Sequence, residues 1–137
     1  MVLLIGMSLL AGCYQADDII SSRKELVGLT RLEEIDLGEF RVTLPYRPRS
    51  TSSLVVDFHA FGRVSHGNYK KVSQTIEQNG PKLRHQMLIT VRELGAKELQ
   101  QPKLDTLRAK IEQVVNDLLE DQAMQAVGFY RFSLRSQ

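Results

Sequence analysis

Few residues in this chain could carry chemistry directly. They are one cysteine, Cys13, three histidines, His59, His66 and His85, and the neighbouring carboxylates Glu33/Glu34 and Glu120/Asp121. A metal centre draws its ligands from a recognisable spacing such as H-x-x-x-H, with thiols or carboxylates beside it. The three histidines have no such spacing. A hydrolytic centre needs a nucleophile, a histidine base and an orienting acid. Ser65-His66 is only an adjacent pair, and neighbours on a strand point to opposite faces. Gly62, Gly67 and Gly80 form neither of the glycine patterns that cradle phosphate. The carboxylate pairs fall at element ends, where solvation accounts for them. The expectation is a non-enzyme with no catalytic, cofactor-binding or metal-binding residue.

Cys13 stands apart because of its setting. A single cysteine excludes an intrachain disulfide and a thiolate zinc cluster. Met1–Gly12 carries no charge, and polarity changes at once after the cysteine, through Tyr14, Gln15, Asp17 and Asp18. A span needs about 20 apolar residues, so this run has the length of a signal-peptide hydrophobic region. Its end, Leu10-Ala11-Gly12-Cys13, resembles the lipobox of bacterial lipoproteins. Small side chains at Ala11 and Gly12 let a peptidase approach the backbone, and the Cys13 thiol is the sulfur that takes the diacylglycerol. Cys13 is therefore the expected lipidation site, and an uncleaved membrane anchor is the alternative. Either tether leaves the rest of the chain beyond a membrane, facing the periplasm.

With 137 residues, 42% hydrophobic and 25% charged, the chain has the makings of one globular domain. The net charge of +2 is small, and the basic pairs Arg23/Lys24, Arg47/Arg49, Lys70/Lys71 and Arg131/Arg135 are dispersed. A nucleic-acid partner would need clustered phosphate contacts, so none is expected.

The elements that would carry these residues follow from periodicity. Leu104, Leu107, Ile111, Val114, Val115, Leu118 and Leu119 form one stripe of an amphipathic helix, with Asp105, Arg108, Lys110, Glu112, Asn116 and Asp117 opposite. Pro102 suits its first turn. Ala126, Gly128, Tyr130, Phe132 and Leu134 share one parity and predict a strand over Met124–Leu134. Phe40, Val42 and Leu44 alternate with Glu39, Arg41 and Thr43 in a first strand, closed by Pro45-Tyr46-Arg47-Pro48. Leu54, Val56, Phe58, Ala60 and Val64 share one face of a second strand, with Asp57, His59 and Arg63 opposite. Val72, Ile76, Gly80, Leu83, Met87, Val91 and Leu94 keep helical phase across Pro81, which favours one kinked helix. Gly95 stops it, and Ala96–Gln101 connects onward through a turn of helix.

The order is β-β-α-α-β: an α+β domain with two long helices on one face of a small antiparallel sheet. Residues 1–13 are signal or anchor, 14–34 a tether or oligomer contact, and 35–137 the domain. Within 14–34, Ile19, Ile20, Leu26, Val27, Leu29 and Leu32 are more apolar than a free linker needs. A short helix capped by Ser21 or Ser22, or a segment ordered against a partner or a second copy, both fit.

Several strings, in order, resemble the flagellar basal-body-associated FliL family over roughly Ile35 to Gln137. Leu37-Gly38-Glu39-Phe40-Arg41-Val42-Thr43-Leu44 is similar to its opening strand, and Leu54–Val64 follows at a similar distance. Glu98-Leu99-Gln100-Gln101-Pro102 stands for its connector. Leu107-Arg108 through Val115-Asn116-Asp117-Leu118-Leu119 is similar to its last helix. Val127-Gly128-Phe129-Tyr130-Arg131-Phe132-Ser133-Leu134, with Gln137, is similar to its closing strand. The resemblance implies a stomatin-type periplasmic domain that assembles into rings around the flagellar stator and supports torque and swarming, with no catalytic residues. The alternative expectation is a cell-envelope lipoprotein of similar fold, with a structural or assembly role unrelated to flagella.

Overall fold

Val56, Phe58, Ala60 and Val64 are fully buried, while Asp57, His59 and Arg63 between them turn to the other side of the sheet. The alternation expected of the second strand is thus the alternation that forms. The computed structural model describes residues 31–44 and 52–137. Strand β1 is Leu32–Thr43 and β2 is Leu54–Ser65, followed by a 3-10 turn at His66–Asn68. Helices α1 (Tyr69–Gln78), α2 (Gly80–Glu93), α3 (Ala96–Leu99) and α4 (Asp105–Leu118) come next, and β3 (Ala126–Ser136) closes the chain. The three strands form one antiparallel sheet in the order β1-β2-β3, with β2 central. Helices cover one face, and the fold is α+β as expected. Strand β1 begins at Leu32, so its first residues come from the stretch read as tether.

One helical stripe becomes two helices. Asn79 leaves helical geometry at φ −112°, ψ 21°. Its N–H and its Nδ2 both donate to Thr75 O, at 3.1 and 2.8 Å, and its own carbonyl accepts from Leu83 N at 2.9 Å. Pro81 falls in the first turn of α2, where its missing N–H is least costly. The expected single kinked helix is therefore a break at Asn79, with the apolar phase kept. Leu83, Met87 and Val91 of α2 are buried. Gly95 and the one-turn α3 stand where the sequence puts them.

Helix α4 buries Leu107, Ile111 and Val115 completely, each four residues from the last. Leu118, expected to be buried, is only half-buried, and Leu119 takes the deeper place. Pro102 lies in the turn ahead of the helix, outside its first turn. The chain enters α4 through Leu104 in the left-handed region, φ 53°, at a cost of order 1 kcal/mol for a non-glycine residue. Asn116, read from sequence as a solvated polar position, instead brackets Met124. Its Oδ1 accepts from Met124 N at 2.9 Å, and its Nδ2 donates to Met124 O at 3.0 Å. That pins the link from α4 to β3. Met124 in turn fills the space over Gly62, where any Cβ would overlap its sulfur.

Between the layers, Phe40 stacks on Phe58 with ring centroids 5.1 Å apart, and Phe129 meets Phe58 edge-on at 5.7 Å. These rings join the buried residues of α2 and α4 in one core.

The strand alternation is interrupted twice, at adjacent levels on either side of Ala60. In β1, Asp36 opposes Phe61 and Gly38 opposes Ala60, leaving Leu37 as an extra residue. Gly38 has φ +103°, a left-handed conformation that glycine adopts without strain. In β3, Arg131 opposes His59 while Phe129 opposes Ala60, so Tyr130 is extra. The single parity expected for β3 is therefore split. Ala126, Gly128 and Tyr130 lie on the uncovered face, whereas Phe132 and Leu134 pack toward the core with Val127 and Phe129.

Candidate functional site: the uncovered face of the sheet

Among the described residues one face of the sheet carries no helix, and alternation fixes what it displays: Glu34, Asp36, Glu39 and Arg41 from β1, Asp57, His59, Phe61 and Arg63 from β2, and Tyr130, Arg131 and Arg135 from β3. The paired bulges turn Asp36 and Tyr130 toward His59, which lies in the middle of β2. His59 Nε2 is 2.8 Å from Asp36 Oδ1. A carboxylate only accepts, so that nitrogen carries the hydrogen. Asp36 Oδ1 also accepts from Gly38 N at 2.7 Å. On the other side of the ring, Glu39 Oε1 is 3.6 Å from His59 Nδ1. Burial raises the Asp36 carboxyl, but the hydrogen bonds from His59 and Gly38 outweigh it and hold its pKa below the ordinary value.

Aromatic rings close over this pair. Tyr130 meets His59 edge-on at 4.9 Å and Phe61 at 4.5 Å. Phe61 lies across the bare backbone of Gly128, where a Cβ would come 2.5 Å from its ring. Arg63 sits over the outer side of Phe61, 5.7 Å from the ring centre. The Tyr130 hydroxyl donates to Glu34 Oε2 at 3.5 Å. Burial, then the charges of Glu34 and Asp36, push the Tyr130 phenol above its ordinary value. Tyr130 remains 55% exposed, the most open large hydrophobic side chain among the described residues.

At the far end of the same face, Asp57 is gripped from both neighbouring strands. Arg41 binds it through Nε at 3.1 and 3.2 Å and through Nη2 at 3.0 Å, and Arg135 Nη2 donates to the same carboxylate. The Arg41 hydrogen bond is the main cause holding the Asp57 carboxyl below its ordinary value of 3.8, with Arg135 adding to it. A carboxyl whose folded pKa is depressed stabilises the fold above its unfolded value and loses that contribution as pH falls. Asp57→Asn should therefore lower the unfolding midpoint at about pH 7 and flatten its decline toward about pH 3. An acid-side decline as steep as the parent's would show that this cluster does not carry it.

The other residues singled out from sequence are placed apart. His66 Nδ1 pairs with Glu33 Oε1 at 2.9 Å, and Arg31 reaches the same carboxylate at 3.3 Å. Asp121 holds Lys71. His85 is exposed on α2. Ser65 ends β2 while His66 opens the 3-10 turn, so the two do not form a reacting pair. Cys13, and the helix weighed for the segment up to Leu29, lie outside the described residues. Shallow depressions open on the helix side. One of about 260 Å³ is lined by Lys82, Leu83, Gln86, Val114, Asp117 and Leu118. One of about 300 Å³ lies between α1 and the end of α4. Among the described residues, no three His, Cys, Asp or Glu side chains gather as a metal site, and no helix is long and apolar enough to cross a membrane.

Sequence reasoning singled out His59 but missed Asp36, Tyr130 and Phe61 as its neighbours. The available signal was Asp36-Leu37-Gly38, a carboxylate two residues before a glycine in a strand, which marks a bulge with its own hydrogen bond. The arrangement is one of interlocked ion pairs and rings across the three strands. No known protein-family model matches this chain, and no curated protein matches it.

Proposed function

We propose that this chain is a non-enzymatic scaffold domain, held at a membrane by its N-terminal segment and facing the periplasm. In this reading it self-associates and works at the flagellar basal body beside the stator units of the motor. The observation that carries the scaffold reading is the asymmetry of the sheet. Helices cover one face. The other presents a cross-linked array of charged and aromatic side chains, with Tyr130 more than half exposed at its centre. Such a face is largely rigid, because Asp36, Arg41, Asp57, His59 and Tyr130 are each held by a neighbour, and rigidity lowers the entropic cost of binding a large partner.

The flagellar placement rests on the FliL-like strings and on their order. The connector Glu98–Pro102 spans the end of α3 and the turn into α4; the strings before it lie along β1 and β2 and those after it along α4 and β3. The lipobox-like Leu10–Cys13 favours a second reading, an envelope lipoprotein of similar fold with no part in motility. Deleting the gene in its own organism separates the two. The flagellar reading expects filaments to assemble and free swimming to persist, while swarming and speed in viscous medium fall. Normal swarming and normal speed under load would remove the flagellar reading and leave the lipoprotein.

A further inference from the structure

Strand β3 is a sheet edge of eleven residues with no Pro, no Lys and no acidic side chain. Its edge protection is one bulge, at Tyr130, and two arginines; edges usually also carry Lys or Pro, because unpaired backbone groups recruit other strands. The opposite edge, β1, has the contrary charge. Leu32–Thr43 holds Glu33, Glu34, Asp36 and Glu39 against Arg41, whereas Ala126–Ser136 holds Arg131 and Arg135 alone. Two copies meeting β3 to β3 would set arginine against arginine. A copy that offers its β1 brings acid to base.

The register supports that joint in detail. Leu44 N donates to Leu54 O at 2.8 Å, and Ser53 and Gln137 exchange both bonds at 3.2 and 2.9 Å. Antiparallel ladders alternate inward and outward residues. Counting from these pairs, Glu39, Arg41 and Thr43 turn their backbone groups to the side of β1 away from β2, which pairs with no strand among the described residues. Phe132, Leu134 and Ser136 do so on β3. Arg84 Nη1 reaches Glu39 O from that side of β1 at 3.1 Å, and a carbonyl has a second lone pair to offer.

Both edge strands run opposite to β2, so they run parallel to each other. A second copy displaced across the sheet therefore lays its β1 parallel to β3. Arg41 and Ser133 share one level, both opposite Asp57. That leaves the outward groups of Arg41 between those of Phe132 and Leu134, which is the pattern of a parallel ladder. At the next level, both opposite His59, Glu39 comes beside Arg131, about 4.8 Å away along the hydrogen-bonding direction. The bulge of β3 falls between the levels of His59 and Ala60 and that of β1 between Ala60 and Phe61, so the alternation slips for one residue, at Gly38 and Phe129, and is regained at Asp36 and Gly128. On the helix side, Phe40 and Val42 come beside Phe132 and Leu134, which are half-buried at present.

We infer that copies of this chain join edge to edge, β3 of one adding in parallel to β1 of the next, with Arg131 beside Glu39 across the joint. The inference rests on the self-association in the reading above and names the surface that performs it. It does not depend on the flagellar placement.

The test uses the full chain in detergent solution, followed by sedimentation velocity over rising concentration. Arg131→Glu alone and Glu39→Arg alone each set like charges across the joint. Each should need about tenfold more protein for half-association. Mixing these two variants should restore association, because every joint between unlike copies again pairs acid with base, and this rescue can only be intermolecular. Circular dichroism and unfolding midpoints matching the parent establish that the single variants are folded. If the parent associates while the single variants associate equally well, or the mixture stays as weak as its components, the edge joint is wrong and self-association stands. A parent that remains monomeric at every concentration overturns both.

Discussion

Ile111→Ala should lower the stability of the fold by about 2–5 kcal/mol, while its neighbour Lys110→Ala should change it by no more than about 0.5 kcal/mol. Ile111 is fully buried in the middle of α4, between Leu107 and Val115 one turn away on either side. Removing three carbons there forfeits apolar burial and leaves a cavity. The surroundings can collapse only in part, because the facing side chains of α2 and the sheet are themselves fully buried. Lys110 is exposed on the outer side of the same helix and loses little. Denaturant unfolding of the two variants measures the contrast. Equal midpoints would mean that α4 does not present the Leu107–Ile111–Val115 stripe to the core, and the layer arrangement would then be wrong.

That stripe illustrates what the sequence reveals well. Period 3.6 in α4 and period 2 in β2 are local properties, and a one-residue slip would carry their apolar side chains into water. Both elements accordingly stand close to where periodicity places them, and the helix-on-sheet architecture follows. The same holds for the phase shared by α1 and α2. Their separation was harder to foresee, because the apolar stripe runs through Asn79 unchanged and only the backbone breaks. The decisive step is the paired use of Thr75 O by the Asn79 amide and side chain, which satisfies the end of α1 as α2 begins.

The uncovered face was legible only in fragments. His59, Asp57 and Arg63 fall on one side of β2 by alternation. Their partners come from β1 and β3, and those strands are each offset by one extra residue. A bulge is set by how two strands fit together, so a parity count along one strand carries straight through it. Such a count therefore groups Tyr130 with Phe132 and Leu134, although the structure puts it on the opposite face. Asn116 shows a related limit. Helical position marks it as outward-facing, but the returning chain at Met124 supplies two hydrogen bonds that no periodicity contains. The array on the open face is thus a product of topology, assembled from residues 34–41, 57–63 and 130–135.

Tether and place come together in one observation on living cells. The full chain, carrying a fluorescent domain after Gln137, should gather in foci at the bases of flagella. Cys13→Ser removes the sulfur that would accept the diacylglycerol, while the folded domain lies elsewhere in the chain. This variant should lose the foci, leave the mature membrane fraction at least tenfold depleted, and show no acyl adduct by mass spectrometry, since one or two acyl chains supply most of the membrane affinity of such a protein. A parent protein spread evenly around the envelope, with no enrichment where flagella emerge, would contradict the account of a membrane-tethered basal-body scaffold.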